Sequence, residues 1–201
     1  MSMDADFDAE AWATELEEYR AEKDEFFAEH RQSPIPADDR EDFEGLTYYD
    51  PDPSLRVAAR VEPADGEDTI ELEMTQGEPQ PYERAAKLVF ELDGGEHELY
   101  GYEQVQPEEG HDHAADDTTT LFVPFRDGTT GDTTYGAGRY MEFEVEGDLA
   151  DADELPLDFN LAYHPFCVYN EAFACPLAPP ENTLDVRIEA GERLARSLGS
   201  D

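Results

Sequence analysis

The chain contains 201 residues, of which 52 are acidic and 13 are basic, so its formal net charge at pH 7 is −39. This length suffices for one buried core, and the 39% share of hydrophobic residues excludes a wholly disordered acidic chain. The scarcity of basic residues excludes a surface that binds nucleic-acid phosphates by releasing counterions.

The first predicted element is an α-helix over residues 8 to about 30. Aromatic and apolar residues recur there at spacings of three, four and seven, which is the pattern of one helix face. They are Trp12, Leu16, Tyr19, Phe26 and Phe27. The prolines at positions 34 and 36 end the helix, because proline cannot continue its hydrogen-bond ladder. We interpret the aromatic face as core, in preference to a cofactor or partner site.

After these prolines the pattern changes to that of β-strands, with alternation and many β-branched or aromatic residues. The predicted strands are residues 55–62, 69–74, 85–92, 96–105, 118–125, 135–146, 155–163 and 183–189. Asp93, Gly94 and Gly95 predict a β-hairpin turn, and Asp127 with Gly128 begins the loop of a second hairpin.

Short connections between successive strands favour antiparallel neighbours. The predicted fold class is therefore mainly β: an antiparallel barrel or strongly curved sheet with an N-terminal helix, and a sandwich is the alternative. We expect the helix to cover an edge or an open end of the sheet. The chain is divided into an N-terminal helix and proline connector, residues 1–36, and a single β domain, residues 37–201.

Residues 122–140 form the first segment that could carry function. Gly136 and Gly138 fall inside a predicted strand, where glycine marks a bulge or the close approach of a ligand or another backbone. Arg139 and Tyr140 follow, and the planar guanidinium could clamp a carboxylate or phosphate. The alternative, slightly favoured, is a structural ion pair between Arg139 and one of the many acids.

Residues 158–182 form the second such segment, which contains both cysteines. His164, Cys167 and Cys175 could bind zinc, but their spacing lacks the paired cysteine knuckle and supplies only three ligands. A fourth would have to come from His111, His113 or a carboxylate. We therefore expect no cofactor, treat zinc as a weak alternative, and interpret the cysteines as reduced thiols packed as small apolar groups.

Two further interpretations of this segment remain open. Cys167 could act as a nucleophile activated by His164 and oriented by Asp158 or Asn160. Alternatively, the polar side chains of both segments could face a pocket, or satisfy carbonyls of the proline-interrupted backbone. The candidate ligand-binding residues are Arg139, Tyr140, Asp158, Asn160, Tyr163, Tyr169, Asn170 and Asn182.

These two segments resemble the family of proteins called domain of unknown function 1684 (DUF1684), and the likeness covers most of the chain beyond the N-terminal helix. It is carried by residues 43–46 (FEGL), 122–125 (FVPF), 127–131 (DGTTG), 134–140 (TYGAGRY), 157–160 (LDFN), 169–170 (YN), 175–177 (CPL), 181–182 (EN) and 190–192 (AGE), with Ala162, Tyr163, Pro165, Cys167 and Pro179. The resemblance implies no activity. It draws attention to Arg139, Asp158, Asn160, Cys167 and Asn182. The family has an asparagine where this chain has His164, which weakens the zinc and Cys/His interpretations.

The leading functional hypothesis is a β domain that binds a small polar or anionic molecule between residues 122–140 and 158–182. One alternative is a hydrolytic or thiol-dependent enzyme that uses Cys167 or Asp158. The other is a structural or partner-binding protein with an exposed apolar patch around Phe166, Val168 and Phe173.

The charge and the absence of targeting signals predict where the protein works. Dispersed acids repel one another in dilute salt, whereas molar salt shortens the Debye length to about 3 Å. Only Lys23 and Lys87 are lysines. No apolar run approaches the roughly 18 residues of a membrane span, and the N-terminus is acidic where a signal peptide would be basic. We expect a halophilic cytoplasmic protein with no membrane or nucleic-acid partner.

Overall fold

The computed structural model describes residues 7–64, 69–105, 118–146, 149 and 152–195. Within these residues the chain forms one α-helix, α1, which spans Ala9–Glu29. The strands are β1 (Arg56–Pro63), β2 (Thr69–Leu72), β3 (Gln80–Leu92), β4 (Gly95–Gln104), β5 (Thr118–Phe125), β6 (Arg139–Glu146) and β7 (Glu154–Asp158).

Helix α1 begins and ends where local chemistry predicts. The Asp8 carboxylate accepts hydrogen bonds from the backbone N–H groups of Glu10 and Ala11, at 3.0 and 3.1 Å. These bonds satisfy amides that have no partner within the helix. The helix ends at Glu29, and His30 is already extended with φ −73° and ψ 143°. The predicted N-terminal helix is confirmed.

The strands form one antiparallel sheet in the order β6-β5-β4-β3-β1-β7. β2 is not part of this order. It pairs with the first residues of β3, next to the residues of β3 that pair with β1. β3 and β4 form the predicted hairpin, in which Asp93 and Gly94 both have positive φ, at 52° and 76°. Two consecutive positive φ angles match the right-handed twist of a hairpin.

The sheet curls strongly into a half-barrel, which confirms the predicted fold class of barrel or strongly curved sheet. An irregularity in the pairing of β3 with β4, between Arg84 and Ala86, is of the kind that bends a strand. β6 and β7 are the two ends of the strand order. β6 meets the segment that follows β7 at Tyr140, whose N–H donates to the Tyr163 carbonyl at 2.8 Å, and the reverse bond measures 2.9 Å.

The core lies on the concave side of the curled sheet and is closed by the residues after β7. Its largest fully buried apolar side chains include Phe125 on β5, Met141 on β6 and Leu157 on β7. Phe159 and Ile188, from the segment that follows the last strand, are also fully buried. Burial of this apolar surface is the main favourable term for the fold.

The predicted strand over residues 183–189 is wrong. Leu184, Ile188 and Ala190 are buried, so the alternating pattern correctly marks an inward face. Backbone pairing is limited to the β5–β6 loop: the Leu184 N–H donates to the Arg126 carbonyl, and the Gly128 N–H donates to the Val186 carbonyl, both at 2.8 Å. An isolated bridge forms there in place of a ladder because the loop offers no extended partner.

Three predicted strand boundaries also shift by four or five residues, and the first is the start of β3, at Gln80 and not at residue 85. β6 begins at Arg139 and not at residue 135, because Gly138 has φ 101° and ends the preceding loop. A Cβ atom on Gly138 would lie 2.3 Å from the Phe125 carbonyl oxygen, so only glycine fits. β7 ends at Asp158, where the chain turns into a short 3-10 helix over Phe159–Leu161.

Candidate functional site

A cleft of about 590 Å³ lies between α1 and the two edge strands β6 and β7. Its volume is within the range of small-molecule sites in proteins, about 300–1,000 Å³. Tyr140 on β6 is bridged to Tyr163 in the segment after β7, and the cleft occupies the gap beside that bridge. It is lined by Trp12, Glu15, Leu16, Tyr19, Arg56, Thr120, Glu142, Phe143, Glu144, Pro156, Asp158, Leu161 and Tyr163.

Helix α1 supplies one wall of the cleft. Trp12, Leu16 and Tyr19 are four and three residues apart, so they lie on one face of the helix. The indole Nε1 of Trp12 donates a hydrogen bond to the Asp158 carboxylate at 2.8 Å and fixes the helix to the end of β7. Tyr19 remains 42% exposed. This wall is therefore apolar, and part of it is open to solvent.

Asp158 acts as a junction between three parts of the chain. Besides Trp12, it accepts bonds from the backbone and side-chain nitrogens of Asn160, both at 2.9 Å, and the Arg56 Nε lies 3.8 Å away. Asn160 in turn bonds both backbone groups of Asp52. These partners occupy most of the acceptor positions of the carboxylate. Asp158 therefore lines the cleft, but its carboxylate mainly holds neighbouring parts of the chain together.

The polar groups of the cleft are predominantly acidic. Among the described residues, Glu15, Glu142 and Glu144 line it, and its one basic lining residue is Arg56, which lies beside Asp158. Burial raises the pKa of Tyr163, and the charge of Glu142 raises it further, so this phenol stays neutral at all ordinary pH values. The cleft combines aromatic walls with a negative rim.

Arg139 does not reach this cleft. Its side chain is 1% exposed, and its guanidinium lies 2.6 Å from the Asp127 carboxylate. It also donates to the carbonyls of Ile188, Ala190 and Glu192. Burial lowers the pKa of Arg139, and the adjacent Asp127 opposes that shift. These contacts are those of a structural ion pair, one of the two predicted roles of Arg139, and not those of a clamp for a bound anion.

The other candidate polar residues fasten the loop that follows β7. Tyr140 donates its hydroxyl to the Pro176 carbonyl, and Asn170 caps a turn by accepting from the Ala172 N–H at 3.0 Å. Asn182 bonds both backbone groups of Tyr100 on β4 and the Pro124 carbonyl on β5, at 2.7–2.8 Å. Among the eight predicted ligand-binding residues, Asp158 and Tyr163 line the cleft.

Glu192 is an important buried residue that the sequence reasoning did not single out. Its side chain is 1% exposed and lies 2.7 Å from Lys23 Nζ on α1. Its other oxygen accepts bonds from the His164 N–H at 2.7 Å and from the Tyr169 hydroxyl at 3.0 Å. A lysine on the apolar face of a helix, in a chain with only two lysines, was the available signal for a buried partner.

His164 is buried and does not contact the cysteines in the way the nucleophile hypothesis requires. Its Nε2 accepts a hydrogen bond from the Tyr135 N–H at 3.2 Å, which uses the lone pair that a metal or thiol would need. Burial lowers its pKa to about 3, and the charges of Arg139 and Lys23 act in the same direction. The Cys167 thiol instead faces the Tyr135 hydroxyl at 3.9 Å.

The described residues contain no group of three His, Cys, Asp or Glu side chains placed to hold a metal ion. His111 and His113, the possible fourth zinc ligands, lie outside the described residues.

Phe166, Val168 and Phe173, the residues named for an exposed partner surface, are half-buried. Phe166 packs edge-on against Phe27 of α1 and against Phe173, with ring centroids 5.9 and 5.5 Å apart.

No helix in the described part of the chain is both long enough and apolar enough to span a membrane.

Comparisons with known proteins place the chain in a family. The family model described as "Protein of unknown function (DUF1684)" matches residues 41–193. The solution NMR structure of the uncharacterized protein from gene locus rrnAC0354 of Haloarcula marismortui is 48% identical and has a TM-score of 0.70, covering 94% of this chain and 97% of that chain. A search of curated proteins found no match. The predicted resemblance is confirmed, and the chain belongs to the DUF1684 family.

Proposed function

We propose that this protein binds a small molecule in the cleft between α1, β6 and β7. The observation that carries the proposal is the cleft itself: about 590 Å³ at the incompletely closed side of the half-barrel, with aromatic residues on opposite walls. Trp12 and Tyr19 come from α1, whereas Phe143 and Tyr163 come from the opposite side. Largely preformed, mainly apolar clefts with a few polar groups are typical of ligand sites.

The charges around the cleft favour a neutral or cationic ligand over an anionic one. Glu15, Glu142 and Glu144 would repel a carboxylate or phosphate, and Arg56 is already beside Asp158. A cation can instead lie over an aromatic face close to these acids, an arrangement worth about 0.5–2 kcal/mol. The initial expectation of an anion at Arg139 is therefore replaced by a ligand with an apolar or aromatic body and an amine-like group.

Native mass spectrometry of protein purified at high salt from its own cell type tests the proposal. Thr120 is exposed on β5 and lines the cleft, so Thr120→Trp places a large side chain there. Thr69→Trp, at an exposed position on β2 that does not line the cleft, is the matched control. We expect an added mass, shed on denaturation, in the wild-type and Thr69→Trp proteins but not in Thr120→Trp. A bare wild-type chain, or an added mass that persists in Thr120→Trp, would contradict the proposal.

A further inference from the structure

We propose that Cys167 and Cys175 form a thiol–disulfide exchange site that reacts with low-molecular-weight disulfides. Both cysteines are free thiols in the structure. The Cys167 N–H lies 3.3 Å from the Cys175 sulfur, so the two residues are in direct contact. This site is separate from the cleft and does not depend on the proposed ligand.

The chain holds the two cysteines together from both sides. Cys175 pairs with Thr75: its N–H donates to the threonine hydroxyl at 3.0 Å, and its carbonyl accepts from the threonine N–H at 2.8 Å. Cys167 lies in the short 3-10 helix Phe166–Val168. The intervening loop is closed by the contact of Phe166 with Phe173. Because the backbone of Cys167 already touches the Cys175 sulfur, rotation about the Cα–Cβ bond of Cys167 can bring the two sulfur atoms together.

The environments of the two thiols assign them different roles. Cys175 is buried at 6% exposure, and burial raises its pKa to about 11, which makes it a poor first nucleophile. Cys167 is half-buried, and its thiol contacts the hydroxyl of Tyr135. Cys167 is thus the thiol that an external disulfide can reach, and Cys175 is placed to resolve the product.

The exchange takes place in two displacement steps. The Cys167 thiolate attacks one sulfur of the external disulfide, forms a mixed disulfide, and releases one small thiolate. The Cys175 thiol then loses its proton and attacks the Cys167 sulfur, which forms the Cys167–Cys175 disulfide and releases the second small thiolate. The protein loses two protons and two electrons in total, and the external disulfide takes up both, the protons through the solvent, to become two thiols. Proximity compensates for the high pKa of Cys175 in the second step.

The negative charge of the protein favours a cationic disulfide, so cystamine is the probe. Native protein at high salt is incubated with cystamine, quenched with N-ethylmaleimide, and analysed by denaturing mass spectrometry. We expect the wild-type monomer to lose two hydrogens and to take up no maleimide. Peptide mapping should place the new bond between Cys167 and Cys175 of the same chain.

Two variants separate the roles of the thiols. Cys175→Ala should stop at the mixed disulfide and carry one cysteamine group, whereas Cys167→Ala should carry none and retain one thiol that reacts with maleimide only after denaturation. Near-ultraviolet circular dichroism checks that both variants are folded. The proposal is overturned if native wild-type protein keeps both thiols free, if it takes up two cysteamine groups, or if the disulfide links two chains. These wild-type outcomes do not depend on whether the variants fold.

Discussion

At the scale of single residues, the buried carboxylate of Glu192 joins α1 to the end of the chain. Glu192→Gln removes the charge that compensates Lys23, whose side chain is only 13% exposed. Breaking a buried ion pair by removing one partner costs about 3–5 kcal/mol. We expect a loss of this size in the free energy of unfolding, measured by denaturant titration at constant high salt.

Glu189→Gln is the matched control for that variant. Glu189 pairs with Arg187 at the surface, where the two side chains are 58% and 44% exposed. Surface ion pairs contribute less than about 1 kcal/mol. Equal losses in the two variants would show that the Lys23–Glu192 contact does not anchor the helix.

We expect His164 to make the stability of the fold sensitive to mild acid. Its pKa is lowered to about 3 in the folded protein by burial, against an ordinary value of 6.5 in the unfolded chain. Between these values the unfolded state holds the extra proton, so stability is lost as the pH falls below 6.5, by up to about 1.4 kcal/mol per pH unit.

His164→Asn, which carries an amide in place of the imidazole, isolates this effect from the titration of the many carboxylates. The amide does not titrate in this pH range, so loss of the hydrogen bond that His164 Nε2 accepts from the Tyr135 N–H changes the stability by the same amount at every pH. Urea titrations from pH 8 to pH 5 should show a constant stability difference above pH 7 and a growing relative advantage for the variant below 6.5. Parallel profiles over the whole range would contradict the proposed origin of the acid sensitivity.

At the scale of elements, Asn182 ties the loop after β7 to two neighbouring strands. Its side chain is fully buried and makes three hydrogen bonds to the backbone of Tyr100 and Pro124. Asn182→Ala leaves these backbone groups unsatisfied, at a cost of about 3 kcal/mol. Asn170→Ala removes one local bond to Ala172 and should cost less than about 1 kcal/mol. Denaturant titration measures both losses. Equal midpoints for Asn182→Ala and Asn170→Ala would show that Asn182 stabilises the fold no more than Asn170 does.

The same elements show what the sequence could predict and why the rest required the structure. The hairpin at Asp93 and Gly94 was predictable because turn residues and flanking alternation are local properties. Residues 183–189 have the alternation of a strand, but a ladder also needs a partner, and the partner is a loop. Arg139 was recognised as unusual, yet its role depends on Asp127, twelve residues earlier, whose carboxylate it meets in the core.

The cleft was not predictable from residues 122–140 or residues 158–182, because it also depends on contacts between distant parts of the chain. It exists because the curled sheet brings residues of β6 and β7, the two ends of the strand order, to one cleft, beside the bridge from β6 to Tyr163. Its other wall belongs to α1, whose aromatic face was interpreted as core. Phe27 is indeed buried at 1% exposure, whereas Tyr19 is on the open part of that face. Curvature and helix placement are tertiary properties that periodicity does not encode.

At the scale of the whole molecule, we expect the charge of −39 to make the stability of the fold depend on salt. Lowering the salt from 1 M to 0.1 M lengthens the Debye length from about 3 Å to about 10 Å. Acids that were screened from one another then repel across the surface, which favours the unfolded chain. We expect the thermal midpoint, followed by circular dichroism, to fall progressively as potassium chloride is removed.

Sucrose distinguishes charge screening from a general effect of cosolutes. It is excluded from protein surfaces and favours compact states, but it carries no charge and leaves the Debye length unchanged. At low salt, sucrose should therefore restore only part of the lost thermal midpoint, whereas potassium chloride should restore all of it. If sucrose restored stability as completely as the salt, or if the midpoint did not change with salt, repulsion among the 52 acids would not be the force that limits this fold.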